Sequence, residues 1–434
     1  MSAEAYRAGQ SQVIYSEQHI RDARVTGLLH TVNSLDGKIE HTQSRTPLSP
    51  PKTPIAVVGG SAAGLFTACL LARGGASVAV LERSNALTPA PRTLIVTHRL
   101  RALLGSAAEV SVVNEIRRFE LFTDGRSATV GLKEPDLIIE RSALIRSLAD
   151  EARRAGAEIK LGLRFHGLRS DGAGLAIEVE HESDGSREEV RTQTVVGSDG
   201  VASRVAQAAG WPQQESVPLV QAIVPLPKDM SPDTVRVWFV PDDTPYFYWL
   251  IPDSPTRGVL GLIGESPQEM RKHLERFLEK RRLDPVSFQG AKIPVYKGWV
   301  PVERRVGNGR VFLVGDAAAQ VKVTTIGGIV TGFRGAIGVA EAILNGGESA
   351  ELRRLRRELD MHLLLRRSLH HFQQTDYSRL VDLLNVSALQ KLGQYSRDDA
   401  LKVLFQICAS QPKLILMGLR GLLTGGRLFG APRP

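Results

Sequence analysis

Cysteine is nearly absent, with only Cys69 and Cys408 in 434 residues. Neither has a CxxC partner or a histidine cluster beside it, which excludes a disulfide framework and a cysteine-based zinc site and fits a reducing cytoplasm. The ten histidines also lack metal-ligand spacing, so no metal is expected. Aromatic residues make up only 6% of the chain. Acidic residues are outnumbered, 46 against 55 lysines and arginines, for a net charge of +9. Basic clusters such as "ELRRLRREL" (351 to 359) and "LLRRSLHH" (364 to 371) favour anionic partners. No helix-turn-helix, zinc-finger or aromatic RNA-binding pattern accompanies that charge, so lipid surfaces or phosphorylated small molecules are better candidates than nucleic acid. The start, "MSAEAYRAGQSQ", has no basic segment followed by an apolar one, and no secretory signal is expected. Long uncharged runs are scarce too. The one at 54–72, "PIAVVGGSAAGLFTACLLA", approaches the length of a membrane span, but its early glycine pair suits another use.

Hydrophobic content of 42% and 41 glycines describe a globular protein rich in tight turns. Residues 1–53 are polar and end in the proline-rich "SRTPLSPPKTP", read as an arm or linker. From Ile55 the pattern predicts a strand to Val58, a glycine turn, a helix over 61–73, a Gly74-Gly75 stop and a second strand over 77–81, a βαβ unit. A helix is expected over 142–155. Three strand-like runs, "TVRVWFV", "PYFYWLI" and "GVLGLIG", predict adjacent strands of an antiparallel sheet. Ser266, Pro267 and Glu269 form a capping box opening the next helix. Leu352, Leu355, Leu359 and Leu363 mark a long amphipathic helix, and "SRDD" (396 to 399) reads as a further cap. The tail from Gln411 mixes apolar residues with Lys413, Arg420 and Arg427, a composition compatible with peripheral contact at an anionic membrane.

In "VVGGSAAG" the three places of GxGxxG are held by Gly59, Ser61 and Gly64, with Gly60 and Ala63 between them. The first glycine permits the turn, the middle place lets backbone approach a pyrophosphate, and the last lets helix pack on strand. Glu82 follows Gly64 by 82 − 64 = 18 residues, where a carboxylate can take ribose hydroxyls. Strand, helix, strand and acid together predict nucleotide binding. The same residues approximate the GxSxG elbow of esterases, but that elbow needs earlier strands and an upstream oxyanion loop, which argues against a hydrolase.

Two further segments turn this toward a flavin. "VVGSDGVASRVAQAAG" (195 to 210) resembles the Asp-Gly motif of FAD-dependent hydroxylases through Asp199, Gly200, Ser203 and Arg204. "VFLVGDAA" (311 to 318) resembles their Gly-Asp motif, in which the acid, here Asp316, meets the ribityl chain. The stretch "GDAAAQVKVTTIGGIVTGFRGAI" (315 to 337) resembles the GDAAGQVKPTTGGGI segment of geranylgeranyl reductases. Lys322, Thr324, Thr325, Gly327, Gly328 and Ile329 match, while Ala319 and Val323 replace the usual glycine and proline. The resemblance implies FAD contact at the glycine motif, Glu82, Arg83, Arg92, Arg141, Asp199, Asp316 and the Gly327–Gly328–Ile329 turn. It also implies NAD(P)H or another electron donor, for which no binding motif is visible.

The implied fold class is α/β: a discontinuous Rossmann-like FAD-binding domain (54–212 and 300–348), an antiparallel-sheet substrate domain (213–299) and a helical C-terminal region (349–434). "FYWLIP" resembles that family's YxWxFP. Strand alternation would place Phe247, Trp249 and Ile251 on one face, walling an apolar substrate cavity, and Tyr246, Tyr248 and Leu250 on the other. Lys322 or surface arginines are the expected contacts of a diphosphate or lipid headgroup, and Thr325 is a further expected substrate residue. The expected activity is reduction of carbon–carbon double bonds in an isoprenoid or similarly long apolar substrate. A flavin monooxygenase acting on an aromatic or polyene is the alternative. A flavin-bearing scaffold is a third reading. A halogenase is disfavoured, because its WxWxIP pattern has Phe247 at the first place here and no matching lysine motif follows the first βαβ unit.

Overall fold

The computed structural model describes residues 54–89 and 92–424. The expected arm at 1–53 and the end of the tail, 425–434, lie outside the described residues. A six-stranded sheet carries the first half of the architecture, in the order Glu303–Val306, Gly309–Leu313, Thr194–Gly197, Ile55–Val58, Val78–Glu82 and Glu158–Leu161. All neighbours run parallel except the edge strand Glu303–Val306. Its inner strands are continuous apolar runs buried on both faces, as parallel strands covered by helices must be. The helices Ala62–Arg73 and Ile329–Leu344 cover it side by side, with Phe66 and Phe333 in edge contact at 5.0 Å.

An eight-stranded sheet forms the second half. Its order is Ser287–Pro294, Ser216–Pro225, Arg257–Ile263, Tyr248–Pro252, Thr234–Trp238, Val112–Thr123, Arg126–Glu140 and Thr93–Val96. The three runs expected to be adjacent do pair antiparallel, Trp238 opposite Tyr248 and Trp249 opposite Gly261. The last three strands in that order come from the 54–212 segment, so a boundary at residue 213 does not follow the sheets. The long strands at 112–140 hydrogen-bond into the same sheet as the strands of 213–299.

One face of this sheet packs Trp238, Tyr248 and Leu250 against Met270, Leu274 and Phe277 of the helix Pro267–Arg281, with Tyr248 and Phe277 stacked at 4.1 Å. That helix opens with the expected serine cap and first-turn proline, Ser266 Oγ accepting from the Glu269 amide at 3.4 Å. The opposite face buries Trp249 and Ile251 among Val321, Val323, Leu355, Leu359 and Leu363. Trp249 is admitted there because Gly261 lacks a side chain: a Cβ on it would lie 2.5 Å from the indole. Tyr246 joins this second face rather than that of Tyr248, contrary to strict alternation. The strand begins only at Tyr248, because the Thr244 hydroxyl accepts from the Tyr246 amide at 3.0 Å and turns the preceding residues.

The C-terminal region is helical, as expected, through Ala350–Leu369, Gln374–Leu383, Val386–Gln394, Ala400–Ser410 and Lys413–Thr424. "SRDD" stands directly before the helix Ala400–Ser410, with the Asp399 carbonyl accepting from the Val403 amide at 2.9 Å. Ser396 Oγ accepts from the Asp398 amide at 3.3 Å, and the Asp398 carboxylate turns inward.

Candidate functional site

The glycine turn after Ile55–Val58 has the form its sequence demands. Gly59 has φ +103°, and a Cβ on it would lie 2.7 Å from the Ser198 carbonyl oxygen. Gly60 donates its amide to Glu82 Oε2 at 2.6 Å, and Ser84 donates to Glu82 Oε1 at 2.9 Å, which fixes the carboxylate at the end of the second strand. Ser61 is the N-cap of the following helix, accepting from the Gly64 amide at 3.2 Å. That helix has no acidic residue in its first turn, leaving its positive end to an anionic partner. Arg83 is exposed beside Glu82.

A second helix start meets the first. Ala63 would lie 2.9 Å from a Cβ on Gly315 and 3.5 Å from one on Gly332. Gly328 is the N-cap of Ile329–Leu344 without a side-chain cap, and again the first turn holds no acid. Gly328 is also close to Asp316, a Cβ on it falling 3.3 Å from Asp316 Oδ1. Burial pushes the Asp316 carboxyl up from its usual value, and the charges of Arg92 and Arg141 oppose that rise. Arg92 is in turn lowered by burial and by Arg141. Its Nε is buried without a partner, a donor that suits an acceptor arriving from a ligand. Arg141 opens the helix Arg141–Arg154, whose N-cap Glu140 accepts from Ser142 and Ala143 at 2.9 and 2.8 Å. Asp199 organises the start of the short helix that follows it. Its carboxylate holds Ser203, Arg204 and Val205 at 2.5, 2.7 and 3.2 Å, while its Cα lies 3.0 Å from the position of a Gly59 Cβ.

The loop 319–328 between Asp316 and the second helix carries unusual backbone. Ala319 and Ile326 have φ of +51° and +54°. A β-branched residue in that region costs on the order of 1–3 kcal/mol and persists where the surroundings dictate it. Gln320, fully buried, accepts from the Gly315 amide at 2.8 Å and fixes the start of the loop. Lys322, expected to meet an anionic substrate end, is 4% exposed and paired inside the protein with Asp398, whose other oxygen accepts from Thr97. Burial alone would raise the Asp398 carboxyl, but Lys322 and Thr97 hold it well below the usual carboxylate range. Thr325 Oγ1 is buried without a partner, 3.7 Å from the position of a Gly327 Cβ. Thr324 Oγ1 shares a 2.6 Å hydrogen bond with His362 Nδ1.

Two site features escaped sequence reasoning. Asp398 sits 76 residues from Lys322 in a segment read as a cap, and no periodicity links them. Arg366 was one member of a basic cluster, yet it is 2% exposed, bonded to the Pro245 carbonyl and stacked 4.3 Å over the Tyr246 ring, with Nε unpartnered. The pattern "LLRRSLHH" gives no hint of which arginine turns inward.

Two helix N-termini free of acidic residues, a glycine cradle, a ribose-ready glutamate and the Arg92–Arg141–Asp316 group fit an adenine dinucleotide carrying a flavin. The chain belongs to the family described as the FAD binding domain, whose profile matches residues 52–350. It is an FAD-dependent oxidoreductase of the geranylgeranyl reductase family. It is 30% identical over 292 residues to digeranylgeranylglycerophospholipid reductase 1 of Methanopyrus kandleri, covering 64% of this chain and 76% of that one. It is 27% identical over 364 residues to the chloroplastic geranylgeranyl diphosphate reductase of Oryza sativa subsp. japonica, covering 73% and 74%. Among solved structures, a geranylgeranyl bacteriochlorophyll reductase-like protein from Thermoplasma acidophilum shares the fold with a TM-score of 0.69 at 18% identity, covering 85% and 98%.

Proposed function

We propose that this protein reduces carbon–carbon double bonds of an isoprenoid or similarly long apolar substrate. One observation carries the reading. Trp249, Ile251 and Tyr246 share a single apolar cluster with Val321, Val323 and Ile326 of the loop leading into Gly327 and Gly328. An apolar chain held along Phe247, Trp249 and Ile251 therefore lies against the loop that borders the flavin position. The names of the relatives, reductases of geranylgeranyl lipids and diphosphates, support the same substrate class.

Bound FAD, reduced by NAD(P)H or another donor, supplies the hydride. The protein's own residues orient the alkene, exclude water and supply a proton. In this reading Arg366 answers an anionic end of the substrate, since its Nε is buried without a hydrogen-bond partner. Thr325 offers its hydroxyl at the same loop. Peripheral contact with an anionic bilayer belongs to the same proposal: Phe405, Leu416 and Leu419 are 72%, 69% and 50% exposed beside Lys402 and Lys413. No helix among the described residues is long and apolar enough to cross a membrane.

The test is to incubate purified protein, reduced in the absence of oxygen, with geranylgeranyl diphosphate and with a geranylgeranylated glycerophospholipid, and to weigh the products. A gain of two hydrogens per double bond is the expected result. Unchanged substrates, or products heavier by one oxygen when air is admitted, overturn the reading.

A further inference from the structure

We propose that His362 and Thr324 form the inner end of a proton path to the flavin loop, with Glu358 as its outer group. The proposal rests on the reductase reading, because a hydride added to one alkene carbon requires a proton for the other. The geometry is that of a relay. Thr324 sits half-buried on the loop at 324–329, and its hydroxyl shares the 2.6 Å bond with Nδ1 of His362. His362 is 3% exposed, and its Nε2 has no hydrogen-bond partner. Glu358, one turn earlier on the same helix, likewise has Oε1 buried and unpartnered, 3.9 Å from that Nε2. A small rotation of either side chain brings the two within hydrogen-bond range.

Two buried polar atoms left unpaired and facing one another are costly in a resting structure and suited to passing a proton. The outer end reaches the surface at Glu358 itself, which is partly exposed and held in place by Arg334 at 2.8 Å. The groups facing His362 are Lys322 from the loop, Asp398 and Arg397 from the segment before Ala400–Ser410, and Glu358 from its own helix. Burial and Lys322 hold the imidazole neutral to about pH 3, so it carries a proton by exchanging tautomers rather than by storing charge. Burial raises the Glu358 carboxyl despite Arg334, which favours its acid form.

The step balances. The alkene π bond opens, and one carbon bonds the hydride. The electron pair left on the other carbon takes the Thr324 hydroxyl proton. That oxygen is refilled from His362 Nδ1, Nε2 is refilled from Glu358, and Glu358 is refilled from solvent. Two electrons arrive with the hydride and one proton arrives from water.

The experiment compares wild type, Thr324→Val, Thr324→Ser, His362→Gln and Glu358→Gln as FAD-loaded proteins on the two substrates above. Flavin content and the rate of flavin reduction by donor should be unchanged. Product formation should fall at least tenfold in Thr324→Val and His362→Gln, several-fold in Glu358→Gln, and recover in Thr324→Ser, which keeps the hydroxyl. Nitrogen NMR of histidine-labelled apoprotein should show a neutral His362 at pH 5, with a tautomer balance that shifts in Thr324→Val. Wild-type turnover retained within twofold in both Thr324→Val and His362→Gln overturns the relay alone, as does a His362 that is protonated at pH 5. Wild-type protein that makes no reduced product overturns the reductase reading and the relay with it.

Discussion

Lys322 and Asp398 meet in the interior, one from the loop before Gly327 and the other from the C-terminal helical region, and Thr97, just past the edge strand Thr93–Val96, closes the group. Charges this deeply buried are expensive unless paired, and removing one partner strands the other. Asp398→Asn and Lys322→Met should each lower stability by about 3–5 kcal/mol, and the double variant Lys322→Met/Asp398→Leu should recover much of the loss. Urea unfolding of the four proteins measures the coupling. Additive losses would mean that the two groups do not act as a pair.

His362 makes the fold acid-sensitive. Its folded value, lowered to about 3, lies below the unfolded value of about 6.5, so the unfolded chain takes up a proton that the folded protein refuses. Stability should fall as pH drops from about 6.5 toward 3, by at most about 1.4 kcal/mol per pH unit for this group. His362→Gln should flatten the slope between pH 6.5 and 5. Asp398 adds a loss of the same sign, because its carboxyl is held low in the fold, but only below about pH 4.

Glu82 should govern cofactor affinity without governing the fold. Glu82→Gln keeps one acceptor for the Gly60 amide but removes the charge that suits ribose hydroxyls. FAD affinity measured by fluorescence should drop about tenfold, with little change in the unfolding midpoint. Gly64→Val should abolish flavin binding altogether, since a Cβ there would sit 2.5 Å from the Gly59 carbonyl oxygen and against Ser198.

Trp249→Ala removes a large buried side chain from the cluster beside the proposed substrate position, and should lower stability by about 3–5 kcal/mol. Ala319→Gly should act in the opposite sense. At φ +51° alanine bears a strain of about 1–2 kcal/mol, partly offset by the freedom glycine gains in the unfolded chain, so a net gain of up to about 1 kcal/mol is expected. Thermal unfolding distinguishes both from a neutral change.

Local patterning carried much of this structure. The glycine turn, the Ser61 and Ser266 caps, the antiparallel neighbours of Tyr248–Pro252 and the long helix at 350–369 follow from residues within a few positions of one another. What escaped was set by distant partners. The strands at 93–140 join the larger sheet through pairings with residues near 234–238, which strand periodicity cannot name. Tyr246 changed faces because Thr244 bends the chain, and Lys322 pairs in the interior with an aspartate far along the sequence. The match to geranylgeranyl reductase motifs picked out the candidate cofactor segments, but only packing showed that the aromatic strand and the loop at 319–328 share one cluster.

The six-stranded sheet also imposes an order of events on the newborn chain. Thr194–Gly197 must slot between Ile55–Val58 and Gly309–Leu313, and the helix that completes the cofactor cradle starts only at Ile329. Such distant parallel pairings close slowly and reward the chain late. During synthesis the glycine turn leaves the ribosome hundreds of residues before its counterpart. Flavin capture is therefore a closing event of assembly, and a chain cut short of Leu344 should be colourless however well its first βαβ unit folds.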